Sequence, residues 1–236
     1  MPEKLSRAAL LAAIDADPLL SRVLAHVRGV CVDDAAHDVE HLLRVAQGTF
    51  AILDDPQAFR ECVCAALLHD VVNLPKNHPE RARASALSAQ AARALIGVDL
   101  DSDGTERVVE AIEDHGYSAG RRPRSALGEA LQDADRLEAL GALGIARTFS
   151  TGVRLGARYF DPTDPWGERR ELDDLRFSVD HFFRKLLILP ATLCTEHGRR
   201  EARARTRILE EFLLALGDEI GCPLERARLT AGSNAR

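Results

Sequence analysis

The order of apolar and polar residues along the chain predicts helices almost throughout. Apolar residues recur at helical spacing, and the alternating β-branched runs typical of strands are missing. Alanine, leucine, arginine and glutamate, which favour helices, dominate these segments. Asp33 or Asp34 is expected to cap the third helix. The predicted helices cover 4–15, 18–28, 34–53, 56–71, 80–96, 103–115, 125–149, 173–189 and 199–219.

Two segments are predicted to be ordered loops, NLPKNHPE at 73–80 and YFDPTDPWGERREL at 159–172. The chain has neither a Ser/Gly-rich linker nor an internal repeat. We therefore predict an all-α fold, a single helical-bundle domain over 1–221. Residues 222–236 become polar and predict a flexible C-terminal tail.

Composition narrows the class of protein. The chain has 236 residues and a net charge of −6, which argues against stable nucleic-acid binding. No apolar run is long enough to span a bilayer, and the N-terminus lacks a secretory signal. The five cysteines are odd in number and form no CxxC pair, as expected of reduced thiols. These features predict a cytoplasmic protein without membrane contact.

Histidines and aspartates recur at particular places on the predicted helices. His37, His41 and Arg44 follow i, i+4, i+7 spacing and share one helix face. The next apolar run, AALLHDVV, ends in His69 and Asp70. Burying an imidazole and a carboxylate costs free energy unless a partner compensates them. Further candidates are Asp133 and Asp135 in a later helix and His115 at the end of VVEAIEDH.

A single divalent ion would compensate for this burial. Imidazole and carboxylate together suit Mn²⁺, Mg²⁺, Fe²⁺, Co²⁺ or Ni²⁺. Such an ion could activate water and polarise a phosphoryl group. A purely structural reading also stays open, because histidines beside a helix core are commonly hydrogen-bonded and aspartates on a helix face are commonly solvated.

Three motifs resemble the H…HD…D pattern of the HD superfamily of metal-dependent phosphohydrolases. They are AHDVEHLLRV, AALLHDVV and QDADRLEALGALGIAR. YFDPTDP at 159–165 and DHFFRKL at 180–186 extend the resemblance to a small, single-domain bacterial branch related to nucleotide pyrophosphohydrolases. The resemblance implies an HD-domain helical bundle with one divalent ion, Mn²⁺ favoured. It also implies the metal ligands His41, His69, Asp70 and Asp135.

The resemblance further implies hydrolysis of a (deoxy)nucleoside triphosphate to the monophosphate and pyrophosphate. Asp70 and His115 are the candidate catalytic residues, although His115 could simply be a helix-end histidine favoured by the dipole. The loop after HD carries Asn73 and Lys76 where the related subgroup has aspartates, which leaves the substrate open. Candidate substrate-binding residues are His37, Arg44, Lys76, Asp133, Asp161, His181 and Lys185.

Two other functions remain open, a nucleotide phosphomonoesterase of the 5′-nucleotidase type and a non-catalytic nucleotide-sensing protein on an HD scaffold. A two-metal site would require further ligands from His78 or His115. The expected partner is a small nucleotide, and the chain is expected to be a monomer or a homodimer.

Overall fold

Helices provide most of the regular structure in the described part of the chain. The computed structural model describes residues 5–30, 38–72, 74, 78–116 and 122–229. Within these ranges there is no β-sheet, only one isolated bridge between Arg158 and Phe177. The all-α prediction is therefore confirmed. The longer helices are α1 (Arg7–Asp15), α2 (Pro18–Val30), α3 (Val39–Leu53), α4 (Phe59–Leu68), α5 (Ala84–Ile96), α6 (Ser102–Asp114), α7 (Ala126–Leu137), α8 (Gly141–Arg154) and α9 (Glu196–Glu219).

Side-chain caps fix where several helices begin. The Asp38 carboxylate accepts a hydrogen bond from the His41 amide at 2.8 Å, so α3 begins at Val39. Asp38 thus supplies the cap that we expected from Asp33 or Asp34, which lie outside the described residues. The aspartate of the first His-Asp pair therefore caps a helix, and this sets the position of His41 in the first turn of α3.

The chain divides into two compact units, Met1–Asp135 and Arg136–Arg236. In the first unit α4 is central and packs against α2, α3, α5 and α6. Every residue from Cys62 to His69 is buried. Burial of each large apolar side chain contributes about 1.5–3 kcal/mol. The end of α4, where His69 and Asp70 follow, is thereby anchored in the core of this unit.

In the second unit α8 and α9 pack together, with the Phe149 ring 5.7 Å from that of Phe212. The single helix predicted over 125–149 is wrong, because α7 ends at Leu137 and α8 begins at Gly141. Leu140 is extended and Gly141 has φ of 73°, a conformation that glycine adopts at little cost.

The helix predicted over 173–189 is wrong for its first part. Ser178 donates to the Arg158 carbonyl at 2.9 Å, which holds this stretch extended beside residue 158. The Asp173 carboxylate caps a turn by accepting from the Leu175 amide at 3.1 Å. A π-helical turn, Phe182–Leu186, follows.

Near the C-terminus, Leu224 and Leu229 are buried. The tail expected from 222 and the domain boundary at 221 stay predictions, and residues 230–236 lie outside the described part of the chain.

Candidate metal centre

His69 lies immediately after α4, where the last carbonyls of a helix lack partners within the helix. Its Nδ1 donates a hydrogen bond to the Ala66 carbonyl at 2.8 Å. Since a carbonyl oxygen only accepts, the proton of the neutral ring is on Nδ1 and the lone pair is on Nε2. This Nε2 is buried, and among the described residues it has no hydrogen-bond partner. An imidazole oriented in this way is ready to bind a metal ion.

His115 repeats this arrangement at the end of α6. Its Nδ1 donates to the Ile112 carbonyl at 2.6 Å, so its Nε2 is the atom that can accept a proton or bind an ion. That Nε2 lies 3.6 Å from Asp70 Oδ1, and the His115 ring centroid is 4.9 Å from that of His69. The fold therefore brings the ends of α4 and α6 together around Asp70.

His41 on α3 and Asp135 on α7 complete the cluster. His41 Nε2 is 3.5 Å and His69 Nε2 is 3.8 Å from Asp135 Oδ1, and His69 Nε2 is 3.7 Å from Asp70 Oδ2. The ligand atoms of His41, His69 and Asp135 lie within 4.8 Å of one another, and so do those of His69, Asp70 and His115. Two atoms bound to one ion at about 2.1 Å are roughly 3 to 4 Å apart, so the distances of 3.5 to 3.8 Å fit a cation in either of these two overlapping groups.

Burial differs between the two kinds of candidate ligand. His41 and His69 are 1% and 0% exposed, whereas the Asp70 and Asp135 side chains are 30% and 33% exposed. The imidazoles therefore form the inner wall of the cluster, and the carboxylates lie on its solvent side. A cation held here would remain accessible to water and to a substrate.

The cluster shifts the protonation of its members. Burial lowers the pKa of His69, and the charge of Asp70 only partly opposes this effect. Burial raises the pKa of Asp135, but the adjacent His69 and His41 outweigh burial and hold that pKa below its usual value. At neutral pH these shifts favour neutral His69 and ionised Asp135, the forms that bind metal ions.

Burial alone would lower the pKa of His115, but the adjacent Asp70 carboxylate outweighs it, and the pKa lies above its usual value. His115 thus differs from His69 in that its closest carboxylate favours the protonated ring.

Three polar residues support the end of α6, and we did not predict this role for them; Gln132 and Asp114 are buried, whereas Arg124 is exposed. Gln132 Nε2 donates to the carbonyls of Asp114 and His115 at 3.2 and 3.3 Å. Arg124 Nε in turn donates to the buried Asp114 carboxylate at 2.7 Å. The only signal in the sequence was the position of Gln132 beside Asp133 in QDAD, and nothing there indicates contact with residue 115.

The remaining candidates are placed as follows. Arg44 lies one turn after His41 on α3 and is half-buried, and Asp133 is fully buried on α7. His37 and Lys76 lie outside the described residues.

Asp161, His181 and Lys185 lie in the second unit. The Asp161 carboxylate accepts from the Thr163 amide at 2.8 Å, which holds a turn of the long loop. His181 Nδ1 is 2.8 Å from Asp174 Oδ2, and Lys185 is part of the π-helical turn. Their binding roles, like those of His37, Arg44, Lys76 and Asp133, stay predictions.

Comparison with known proteins points to one family. The family model for the HD domain matches residues 38–140. The uncharacterized protein YpgQ of Bacillus subtilis (strain 168) is 31% identical over 202 residues, which cover 82% of this chain and 90% of YpgQ.

Solved structures agree with this result. The crystal structure of an HD-superfamily hydrolase from Bacillus thuringiensis is 29% identical, with a TM-score of 0.64 over 90% of this chain and 98% of the other. The crystal structure of B. subtilis YpgQ in complex with ADP is 26% identical, with a TM-score of 0.63 over 89% of this chain and 96% of the other. Among the described residues, every helix is too short or too polar to span a bilayer.

Proposed function

The chain belongs to the HD domain family, and from this premise we propose that it is a divalent-metal-dependent phosphohydrolase that acts on a nucleotide. The observation that carries the proposal is the buried Nε2 of His69, which faces two carboxylates and lacks a hydrogen-bond partner among the described residues. A buried polar atom of this kind is costly unless something binds it. A cation coordinated by neighbouring carboxylates removes that cost.

The donor set favours a metal of intermediate hardness. His41, His69, Asp70 and Asp135 would hold it with two imidazole nitrogens and two carboxylate oxygens, a mixture that suits Mn²⁺ and also admits Mg²⁺, Fe²⁺, Co²⁺ or Ni²⁺. The bound ion would lower the pKa of a water molecule and polarise a phosphoryl oxygen. The Nδ1 hydrogen bond of His69 keeps its ring oriented for this role.

Two side chains of the cluster are suited to proton transfer. Asp70 lies between the Nε2 atoms of His69 and His115, at 3.7 and 3.6 Å. In this position the Asp70 carboxylate can take a proton from water, and His115 can carry a proton to or from the reacting phosphate. Both groups are partly or fully buried, which strengthens their electrostatic interactions.

The proposed substrate is a (deoxy)nucleoside triphosphate, cleaved to the monophosphate and pyrophosphate. The complex of YpgQ with ADP supports a nucleotide ligand in this family. Arg44 lies one turn after the candidate ligand His41 on α3, and we propose that it binds a phosphate group of the substrate. We also propose a cytoplasmic location.

The direct test incubates a panel of nucleotides with protein that has been freed of metal by a chelator and then supplied with one divalent ion at a time. Phosphate and pyrophosphate are measured separately, and bound metal is counted by elemental analysis. We expect Mn²⁺-dependent release of pyrophosphate from a triphosphate. Phosphate release from monophosphates would indicate a phosphomonoesterase instead, and nucleotide binding without turnover would indicate a sensor.

A pair of aspartate variants tests the site itself. We expect Asp70→Asn to lower turnover by about a hundredfold or more, since loss of a mere supporting group near a metal costs roughly 10–100-fold. Asp99→Asn is the matched control, because Asp99 is also ion-paired and 31% exposed but lies outside the cluster. Equal activity of the two variants would refute the assignment.

A further inference from the structure

We propose that a groove in the second unit binds an organic phosphate. The phosphate groups of this ligand would contact arginines of α9, and its apolar or aromatic part would pack against leucine side chains that line the groove. The groove encloses about 480 Å³, a volume typical of small-molecule sites. Leu187, Pro190 and Leu229 line it, and both leucines are 5% exposed. None of its lining residues belongs to the metal cluster.

Arginines dominate the polar side of the groove. Arg200, Arg203 and Arg207 follow i, i+3, i+7 spacing, so they share one face of α9 and extend over about 10 Å of its axis. From 196 to 207 the helix carries five arginines and two glutamates, although the whole chain has a net charge of −6. In the groove itself, three arginines face one glutamate, Glu210, so the lining carries a net positive charge in an acidic protein.

These guanidinium groups are available to a ligand. Arg200 and Arg203 share Glu196 at 3.8 and 3.6 Å, and all three side chains are more than half exposed, at 53%, 62% and 62%. Exposed pairs of this kind are weak. Among the described residues, no ion pair involves Arg207. A phosphate, which guanidinium groups bind through paired hydrogen bonds, can displace Glu196.

Two further residues orient the ligand. Glu210 borders the groove one turn beyond Arg207. Because its carboxylate repels an anion, the phosphate end of the ligand is expected at the other end of the groove, near Arg200 and Arg203. The hydroxyl of Thr206 lines the groove and is buried without a hydrogen-bond partner among the described residues. A hydroxyl in this state can bond to a polar group of the ligand.

A second groove, between α5 and α6, differs from this one in how its arginines are paired. It encloses about 420 Å³ and also carries three arginines, Arg93, Arg107 and Arg124. Each of them donates to a carboxylate, at 2.7, 2.9 and 2.7 Å. Their charges are already neutralised by close pairing, whereas Arg200 and Arg203 share one carboxylate at longer distances of 3.8 and 3.6 Å.

The arginine face is not explained by helix stability. Like charges one turn apart on a helix repel, and the pairs that Arg200 and Arg203 make with Glu196 are exposed and weak. Removing one arginine should therefore leave the free protein as stable as before, or more so. This expectation separates a binding role from a structural one.

The test uses the full-length protein in EDTA, so its outcome does not depend on metal-supported hydrolysis. Binding of ADP, tripolyphosphate and adenosine is measured by titration calorimetry. We expect Arg203→Gln and Arg207→Gln each to weaken ADP and tripolyphosphate binding by about tenfold, the usual effect of losing one charged hydrogen bond. Asp70→Asn should leave this binding unchanged.

Arg28→Gln is the matched control, because Arg28 is an exposed arginine on α2 in the first unit. It should keep full affinity, and the melting temperatures of the free α9 variants should not fall. The proposal is overturned if ADP binds all variants equally, if adenosine binds as tightly as ADP, or if weaker binding accompanies a lower melting temperature. An Arg203-dependent dimer that excludes ADP would also overturn it, since a second copy would then occupy the groove.

Discussion

Gln132 links the end of α6 to α7, and replacing it tests how the histidine at that end is held. The side chain is 1% exposed, and its amide donates to two carbonyls, those of Asp114 and His115. The substitution Gln132→Met keeps the length and most of the volume of the side chain but removes both donors. We expect it to lower the free energy of unfolding.

The magnitude follows from these two contacts. At 3.2 and 3.3 Å both hydrogen bonds are at the long end of the usual range. A neutral hydrogen bond contributes about 1 kcal/mol, and a buried carbonyl left without its donor costs about 1–3 kcal/mol. Two bonds therefore predict a loss of about 2 to 4 kcal/mol. This is a large fraction of the roughly 5–15 kcal/mol that stabilises an ordinary domain.

The assay is urea unfolding of chelator-treated protein, followed by circular dichroism. Gln90→Met on α5 is the matched control, because Gln90 is exposed and the chemical change is the same. Its effect should stay within about 0.5 kcal/mol. If Gln132→Met unfolds at the same urea concentration as the control, the two hydrogen bonds do not support the end of α6.

The same variant tests the candidate metal centre. We expect its Mn²⁺ affinity to fall by about tenfold, because residues that orient the groups around a metal commonly have effects of this size. Calorimetric titration measures that affinity directly. Unchanged affinity in a destabilised variant would show that Gln132 supports the fold without positioning the site.

Three more predictions follow from individual residues. Mn²⁺ at about 100 times its dissociation constant should add about 2.7 kcal/mol to the free energy of unfolding, and Asp135→Asn should abolish this gain in a urea titration. Burial raises the pKa of the Cys62 and Cys64 thiols to about 12, so the folded chain keeps protons that the unfolded chain releases above roughly pH 8.5. Stability should be unaffected by these thiols below that pH and fall as pH rises toward 12. Urea midpoints that stay constant over this range, or fast native-state labelling located to Cys62 or Cys64 by peptide mapping, would contradict their burial. Gly141→Ala should cost about 1–2 kcal/mol because of its positive φ, whereas Gly29→Ala, in α2 with open space around it, should be neutral or stabilising in the same thermal melts.

The sequence by itself determined the helical class of the protein and the residue types of its candidate metal site. Helix propensity and apolar spacing act over one or two turns, so they predict α2, α6 and α9 closely. Backbone conformation set by single residues was harder to predict. The break at Gly141 and the extended stretch around Ser178 depend on a positive φ and on hydrogen bonds to a distant segment.

The tertiary structure alone decided which of the candidate side chains meet. His41, His69 and Asp135 come from three helices, and spacing along the chain does not determine their distances. The sequence indicated His115 as a candidate acid or base and as a possible ligand of a second metal, and the packing of α6 against α4 brings it next to Asp70. The sequence states which side chain stands at each position. Which helix ends lie next to each other is decided only when the helices bury their apolar faces in a shared core.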